Sequence, residues 1–110
     1  MYSIEYTESA LSDLEYFRKT ERQLIVDQID IQLIYEPGIE TPNRKRLRRN
    51  ALAEWELRIG KFRVFYDVIA EAYDEHESDD EQALIRIVKI EAVGQKKHNK
   101  LFIRGEEFEL

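Results

Sequence analysis

Residues 55–66 read WELRIGKFRVFY, two runs of alternating apolar and polar residues around Gly60 and Lys61. Period-two alternation on both sides of a two-residue break predicts a β-hairpin, with Gly at the first loop position as a type II′ turn prefers. The alternation puts Trp55, Leu57 and Ile59 on one face of the first strand, and Glu54, Glu56 and Arg58 on the other. A two-residue loop sets Ile59 opposite Phe62 and Arg58 opposite Arg63. Like charges directly across a strand pair repel by up to about 1 kcal/mol. Either these two side chains splay into water or an anion sits between them. A phosphate suits the second arrangement, because guanidinium forks match its oxygens.

Upstream of the hairpin, Tyr2 to Tyr6 alternates and reads as a first strand. Thr7 is a good N-cap, and Ala10, Leu11, Leu14 and Phe17 then recur at helical spacing, predicting a helix to about Lys19. Thr20-Glu21-Arg22-Gln23 has the form of a capping box and opens a second helix, with Leu24, Ile25, Ile29 and Leu33 on its apolar stripe. Pro37-Gly38 ends it. Residues 38–52 carry turn signals and a basic cluster. Downstream, the second hairpin strand runs from Phe62 to about Ile69. Glu71 to Glu81 is rich in carboxylates and reads as a solvated loop. Ala83 to Val93 is dense in Ile, Val and Leu, as a central buried strand requires, and Gly94 ends it. A tail follows.

The resulting order is β-α-α-β-β-β, an α+β fold in one domain spanning residues 1–110. A helical hairpin packs on one face of a small, mostly antiparallel sheet. Trp55 and Tyr66 fall in the core. The opposite face is left open and carries Glu54, Glu56, Arg58, Arg63 and Asp67, with Phe65 among them.

Composition narrows the chemistry. With 43% apolar residues the chain can form one real core, and with no Cys it has no disulfide, thiolate metal site or Cys nucleophile. His76 and His98 are far apart in sequence, so no metal site or cofactor is expected. No run approaches the roughly 18 apolar residues that cross a membrane, and no signal peptide is visible. The expected location is the cytoplasm.

The net charge of −6 conceals a segregation. Residues 44–63 sum to +6, through Arg44, Lys45, Arg46, Arg48, Arg49, Arg58, Lys61 and Arg63. Residues 96–104 sum to +4, through Lys96, Lys97, Lys100 and Arg104, which leaves −16 elsewhere. Two basic runs flanking one sheet predict a basic surface on an acidic body.

With these elements in place, the chain resembles the RelE/ParE toxin superfamily of type II toxin–antitoxin systems, in its RelE-like branch. The resemblance covers nearly the full length. It rests on the helical hairpin, the basic approach from Arg44 to Arg49, WELRIGKFRVFYDV, and IRIVKIEAVGQKKHNKLF. It implies a metal-independent mRNA endonuclease acting at the ribosome to inhibit translation, in which the 2′-hydroxyl attacks the adjacent phosphate. It also implies a cognate antitoxin as partner, with the oligomeric state set by that complex.

On this resemblance, Arg63 and Arg58 stabilise the transition state and Lys96 binds a phosphate beside it. Glu56 is the candidate base and His98 the candidate acid. Arg44, Lys45, Arg46, Arg48, Arg49, Lys97 and Lys100 are candidates for RNA binding, and Phe65 for stacking on a base. Glu54 and Glu56 stand where the RelE branch has lysines, and Phe102 where it has a tyrosine. A ParE-like toxin that binds a protein target, gyrase, and a catalytically degenerate member are the alternatives.

Overall fold

The computed structural model describes residues 1–74 and 82–110. The chain runs β1 (Ser3–Tyr6), α1 (Glu8–Glu15), α2 (Lys19–Leu33), β2 (Arg44–Arg46), β3 (Trp55–Ile59), β4 (Phe62–Asp74), β5 (Gln82–Lys97), β6 (Lys100–Ile103) and β7 (Glu106–Phe108). The strands form one sheet in the order β2-β3-β4-β5-β6-β7, with β1 parallel to β5 and every other pairing antiparallel.

The β3–β4 hairpin has the expected register, with Ile59 opposite Phe62 and Arg58 opposite Arg63. Gly60 alone of its two loop residues has positive φ (57°), the sign pattern of a type II′ turn. Trp55, Leu57, Ile59, Val64 and Tyr66 point to one side and are buried with Val88 and Ile90 of β5. Two helices cover them. Thr7 caps α1, its hydroxyl accepting the Ala10 N–H at 3.0 Å. α1 stops at Glu15 rather than near Lys19, because Arg18 is already extended (ψ 157°) as the N-cap of α2. The Glu21 carboxylate accepts the Arg18 N–H at 3.2 Å, so α2 begins ahead of the expected Thr20. Ala10, Leu14, Phe17, Ile25, Ile29 and Leu33 complete this core. Leu24, expected on the stripe, is 46% exposed. Tyr66 is fully buried because its hydroxyl donates to Pro37 O at 2.8 Å.

The other face of the sheet is not open. Phe65, Ala92 and Leu101 are buried there under Leu47, Leu52 and Ala53 from one side and Ile103 and Phe108 from the other. Two features curl the sheet over this second core. The pairing shifts between Phe65, opposite Ala92, and Tyr66, opposite Ile90, which leaves Glu91 as an extra, bulged residue. At Gly94 a Cβ would stand 2.5 Å from Phe102 O, so only glycine lets β6 turn in this closely.

Gly94 therefore does not end β5, which continues to Lys97. His98 and Asn99 (φ 52° and 64°) then turn it into β6, and Arg104 and Gly105 (φ 50° and 80°) turn β6 into β7. Two residues with positive φ are what a type I′ hairpin requires. β2, β6 and β7 are additions to the expected order. Glu71 to Asp74, expected in a loop, continue β4 and pair with Gln82 to Ile85. The rest of that expected loop, 75–81, lies outside the described residues.

The edge of β5 opposite β4 is occupied in succession. β1 pairs with it from Ile87 to Ile90, and β6 from Gln95 to Lys97. α1 fills the gap between them. The Thr7 hydroxyl donates to Glu91 O (3.3 Å), and an Asp13 carboxylate oxygen accepts the Val93 N–H (2.9 Å).

Candidate functional site

Strand alternation places Lys45, Glu56, Arg58, Arg63 and Lys96 on the curled face, away from the helices. Of the two arginines that face each other, Arg58 is paired with a carboxylate of its own strand. Glu56, 4% exposed, accepts the Arg58 Nε–H at 3.1 Å. Arg63 turns its Nη1 back to the hairpin loop, donating to Gly60 O (2.7 Å) and Phe62 O (2.9 Å). Its Nε is buried without a hydrogen-bond partner. Burial lowers the Arg63 pKa below the usual guanidinium value. The Glu56 charge opposes that shift and the Arg58 charge adds to it.

Lys96 lies beside the same loop, its N–H donating to Lys61 O at 2.8 Å. One end of the sheet thus gathers the Gly60–Lys61 turn, Arg58, Arg63, Lys96 and Lys97. Among the described residues, neither Lys96 nor Lys97 takes part in an ion pair. His98 is exposed at the tip of the β5–β6 turn, two residues beyond Lys96. Lys100, next after that turn, is 3.8 Å from Glu107.

The basic run ahead of β3 is divided. Arg44 and Arg46 face the helix side. Arg44 donates to Gln32 O at 2.6 Å, satisfying a carbonyl at the end of α2. Arg46 lies over the Trp55 ring, 5.7 Å from its centroid, and 3.7 Å from Glu54. Lys45 is exposed on the curled face opposite Glu56, and Arg48 and Arg49 are exposed in the following loop. The stacking role expected for Phe65 is corrected: its ring has no exposed surface and belongs to the second core, so no base can reach it.

Sequence reasoning missed two carboxylate positions. Asp13 is 1% exposed and holds the Val93 N–H and Arg104, whose Nε is 3.0 Å away. Burial raises its pKa, against the lowering effects of the Val93 bond and Arg104. Its place among Ala10, Leu14 and Phe17 was the available signal. Glu91, the bulged residue, lies near Asp67, and burial first and then the neighbouring Asp67 carboxylate raise its pKa. A concavity of about 720 Å³ lies near these groups, between Thr7, Asp13, Leu52, Glu91, Arg104 and Phe108, and not at the arginine pair.

Among the described residues, no cluster of three His, Asp or Glu side chains could hold a metal ion, and no helix is long and apolar enough to cross a membrane. The curled face itself brings two guanidiniums, an ammonium-bearing strand end and one carboxylate to a single sheet end. Such a set can hold a phosphate and stabilise charge that develops on it.

Two helices packed on a curled, mostly antiparallel sheet give an α+β fold of the RelE-like kind. The toxin–antitoxin complex RelBE2 of Mycobacterium tuberculosis contains a chain of this architecture, with TM-score 0.59 and 22% identity over 86% of this chain and 98% of that one. At that identity the likeness is one of fold. No protein-family model matches the sequence, and no curated protein matches it.

Proposed function

We propose that this chain is the toxin of a toxin–antitoxin pair and that it cleaves mRNA at the ribosome without a metal ion. The observation that carries this reading is the Glu56–Arg58–Arg63 group on the curled face, with Lys96 beside it. In the reaction the 2′-oxygen bonds to the adjacent phosphorus and the bond to the 5′-oxygen breaks. The products are a 2′,3′-cyclic phosphate and a 5′-hydroxyl. Arg58 and Arg63 stabilise the charge that gathers on the phosphorane oxygens. Glu56 accepts the 2′-proton once substrate draws Arg58 to the phosphate, and His98 supplies a proton to the leaving oxygen. The fold shared with a chain of a toxin–antitoxin complex supports an antitoxin as cellular partner.

A second reading, a toxin that binds a protein target, is favoured by the anchoring of Arg63 Nη1 to two loop carbonyls, which leaves fewer donors for a phosphate. Induced expression with mapping of transcript 5′ ends separates the two. Cuts at ribosome-bound codons that fall on the order of 100-fold in Arg63→Ala support the nuclease. A stably folded, fully toxic Arg63→Ala variant that leaves transcripts intact overturns it in favour of the second reading.

A further inference from the structure

The basic run 44–49 splits into spent and available cations. Arg44 and Arg46 are engaged by Gln32 O and by Trp55 with Glu54. Arg48 and Arg49 are exposed, and among the described residues neither takes part in an ion pair. They stand on a loop that one side chain holds shut. The Asn50 amide nitrogen donates to Arg48 O (2.6 Å) and Ala53 O (2.8 Å). Its oxygen accepts the N–H groups of Leu52 (2.7 Å) and Ala53 (3.1 Å). All four hydrogen-bonding positions of the amide are used within the loop. Leu47 and Leu52 pin the same loop on the second core, and the Leu47 N–H donates to Glu54 O at 2.8 Å.

Between this loop and the sheet is a cavity of about 440 Å³ that Arg46, Arg48, Arg49 and Asn50 line together with Glu54 and Asp67. Both carboxylates are committed elsewhere. Glu54 is paired with Arg46, and Asp67 accepts the Glu54 N–H at 2.8 Å. Among the described residues, neither forms an ion pair with Arg48 or Arg49. A loop whose backbone is already fixed presents two guanidiniums with less ordering cost on binding. Guanidiniums bind phosphodiesters through paired N–H donors.

We propose that residues 47–53 form a preformed clamp for an RNA phosphodiester, with Arg48 and Arg49 as the grip and Asn50 as the positioning residue. The clamp deepens the nuclease reading and rests on it. It adds a second phosphate site beyond the start of β3, which is itself about 10 Å along the strand from Arg58 at the strand's rise per residue.

The test uses the whole chain and a short fluorescent single-stranded RNA with 2′-O-methyl sugars, which lack the attacking hydroxyl. Anisotropy is read as salt rises from ~50 to ~200 mM. Arg48→Ala with Arg49→Ala should weaken binding on the order of 10-fold at low salt and make the logarithmic salt slope shallower by about 0.7 for each phosphate no longer neutralised. Asn50→Ala keeps both charges, so affinity should fall several-fold with the slope unchanged; a merely structural Asn50 would lower the urea midpoint and leave affinity alone. If an alanine variant fails to fold, Arg48→Gln with Arg49→Gln gives the same reading. Wild-type binding that the double variant does not alter, or no wild-type binding at low salt, overturns the clamp. Loss of RNA by the double variant from a wild type that cuts no transcript on ribosomes would leave the clamp standing and remove the nuclease.

Discussion

Glu56→Gln isolates the charge that pairs with Arg58 beside Arg63. The side chain keeps its shape and an acceptor oxygen but loses its negative charge. Glu56 is 4% exposed and accepts the Arg58 Nε–H at 3.1 Å. A hydrogen bond to a charged group contributes about 1.5–3 kcal/mol. The Arg58 side chain is 41% exposed, so solvent screening keeps this bond at the low end. Without the carboxylate, Arg58 also faces Arg63 uncompensated, which costs up to about 1 kcal/mol. The expected loss is about 2 kcal/mol. Arg58→Gln relieves the repulsion between arginines but strands a buried carboxylate, so it should destabilise as well. The double variant removes both charges and should be more stable than the two single losses predict, by about 1 kcal/mol or more. Urea denaturation of the four proteins measures this. Additive losses, or a Glu56→Gln change within about 0.5 kcal/mol, would show that Glu56 does not organise the site.

Three further outcomes follow from the fold. Gly94→Ala forces a Cβ toward Phe102 O and should cost about 1–3 kcal/mol in urea unfolding; a variant as stable as the wild type would contradict the close approach of β6. Asp13→Leu leaves the buried Val93 N–H without an acceptor and should cost about 1–3 kcal/mol, whereas Asp13→Asn keeps an acceptor and should lose less, since its partner Arg104 is half exposed; equal losses would exclude the Val93 bond as the main effect. Glu91 has a folded pKa raised above its ordinary value, so its contribution to stability is fully present below about pH 4.3 and is lost as pH rises through the folded value. Glu91→Gln should therefore gain on the wild type between pH 4 and neutrality, and urea midpoints that diverge the other way would refute the shift.

The part of the fold nearest the arginines was the most legible, because strict alternation and a two-residue break leave one register. The paired helices were legible from their apolar spacing, with ends displaced where Arg18 and Glu21 form the cap that Thr20 and Gln23 suggested. β2, β6 and β7 were not. They are three or four residues long, two of them mainly charged, and held by neighbours rather than by their own pattern. Phe65 lay on the face that alternation assigned to it. What alternation could not give was its cover, made of isolated apolar residues from segments far apart in the chain. For the same reason the burial of Glu56 and the division of the basic run became visible only in three dimensions.

The succession of partners along β5 bears on solubility. An unpaired strand edge is a template for another chain, and proteins protect such edges by covering them. Here β1, the Thr7 hydroxyl, the Asp13 carboxylate and β6 occupy one edge of β5 from Ile87 to Lys97. Among the described residues, the ladder groups of β5 before Ile87, and those of β4 beyond Tyr66 on the β3 side, have no strand beside them, and exposed Arg86 and Glu71 place charge on that ribbon. Removing the Asp13 acceptor would open a slot in the middle of the guarded edge, where neighbouring side chains are apolar. The expected consequence, beside the loss of stability, is self-association of the chain through that slot.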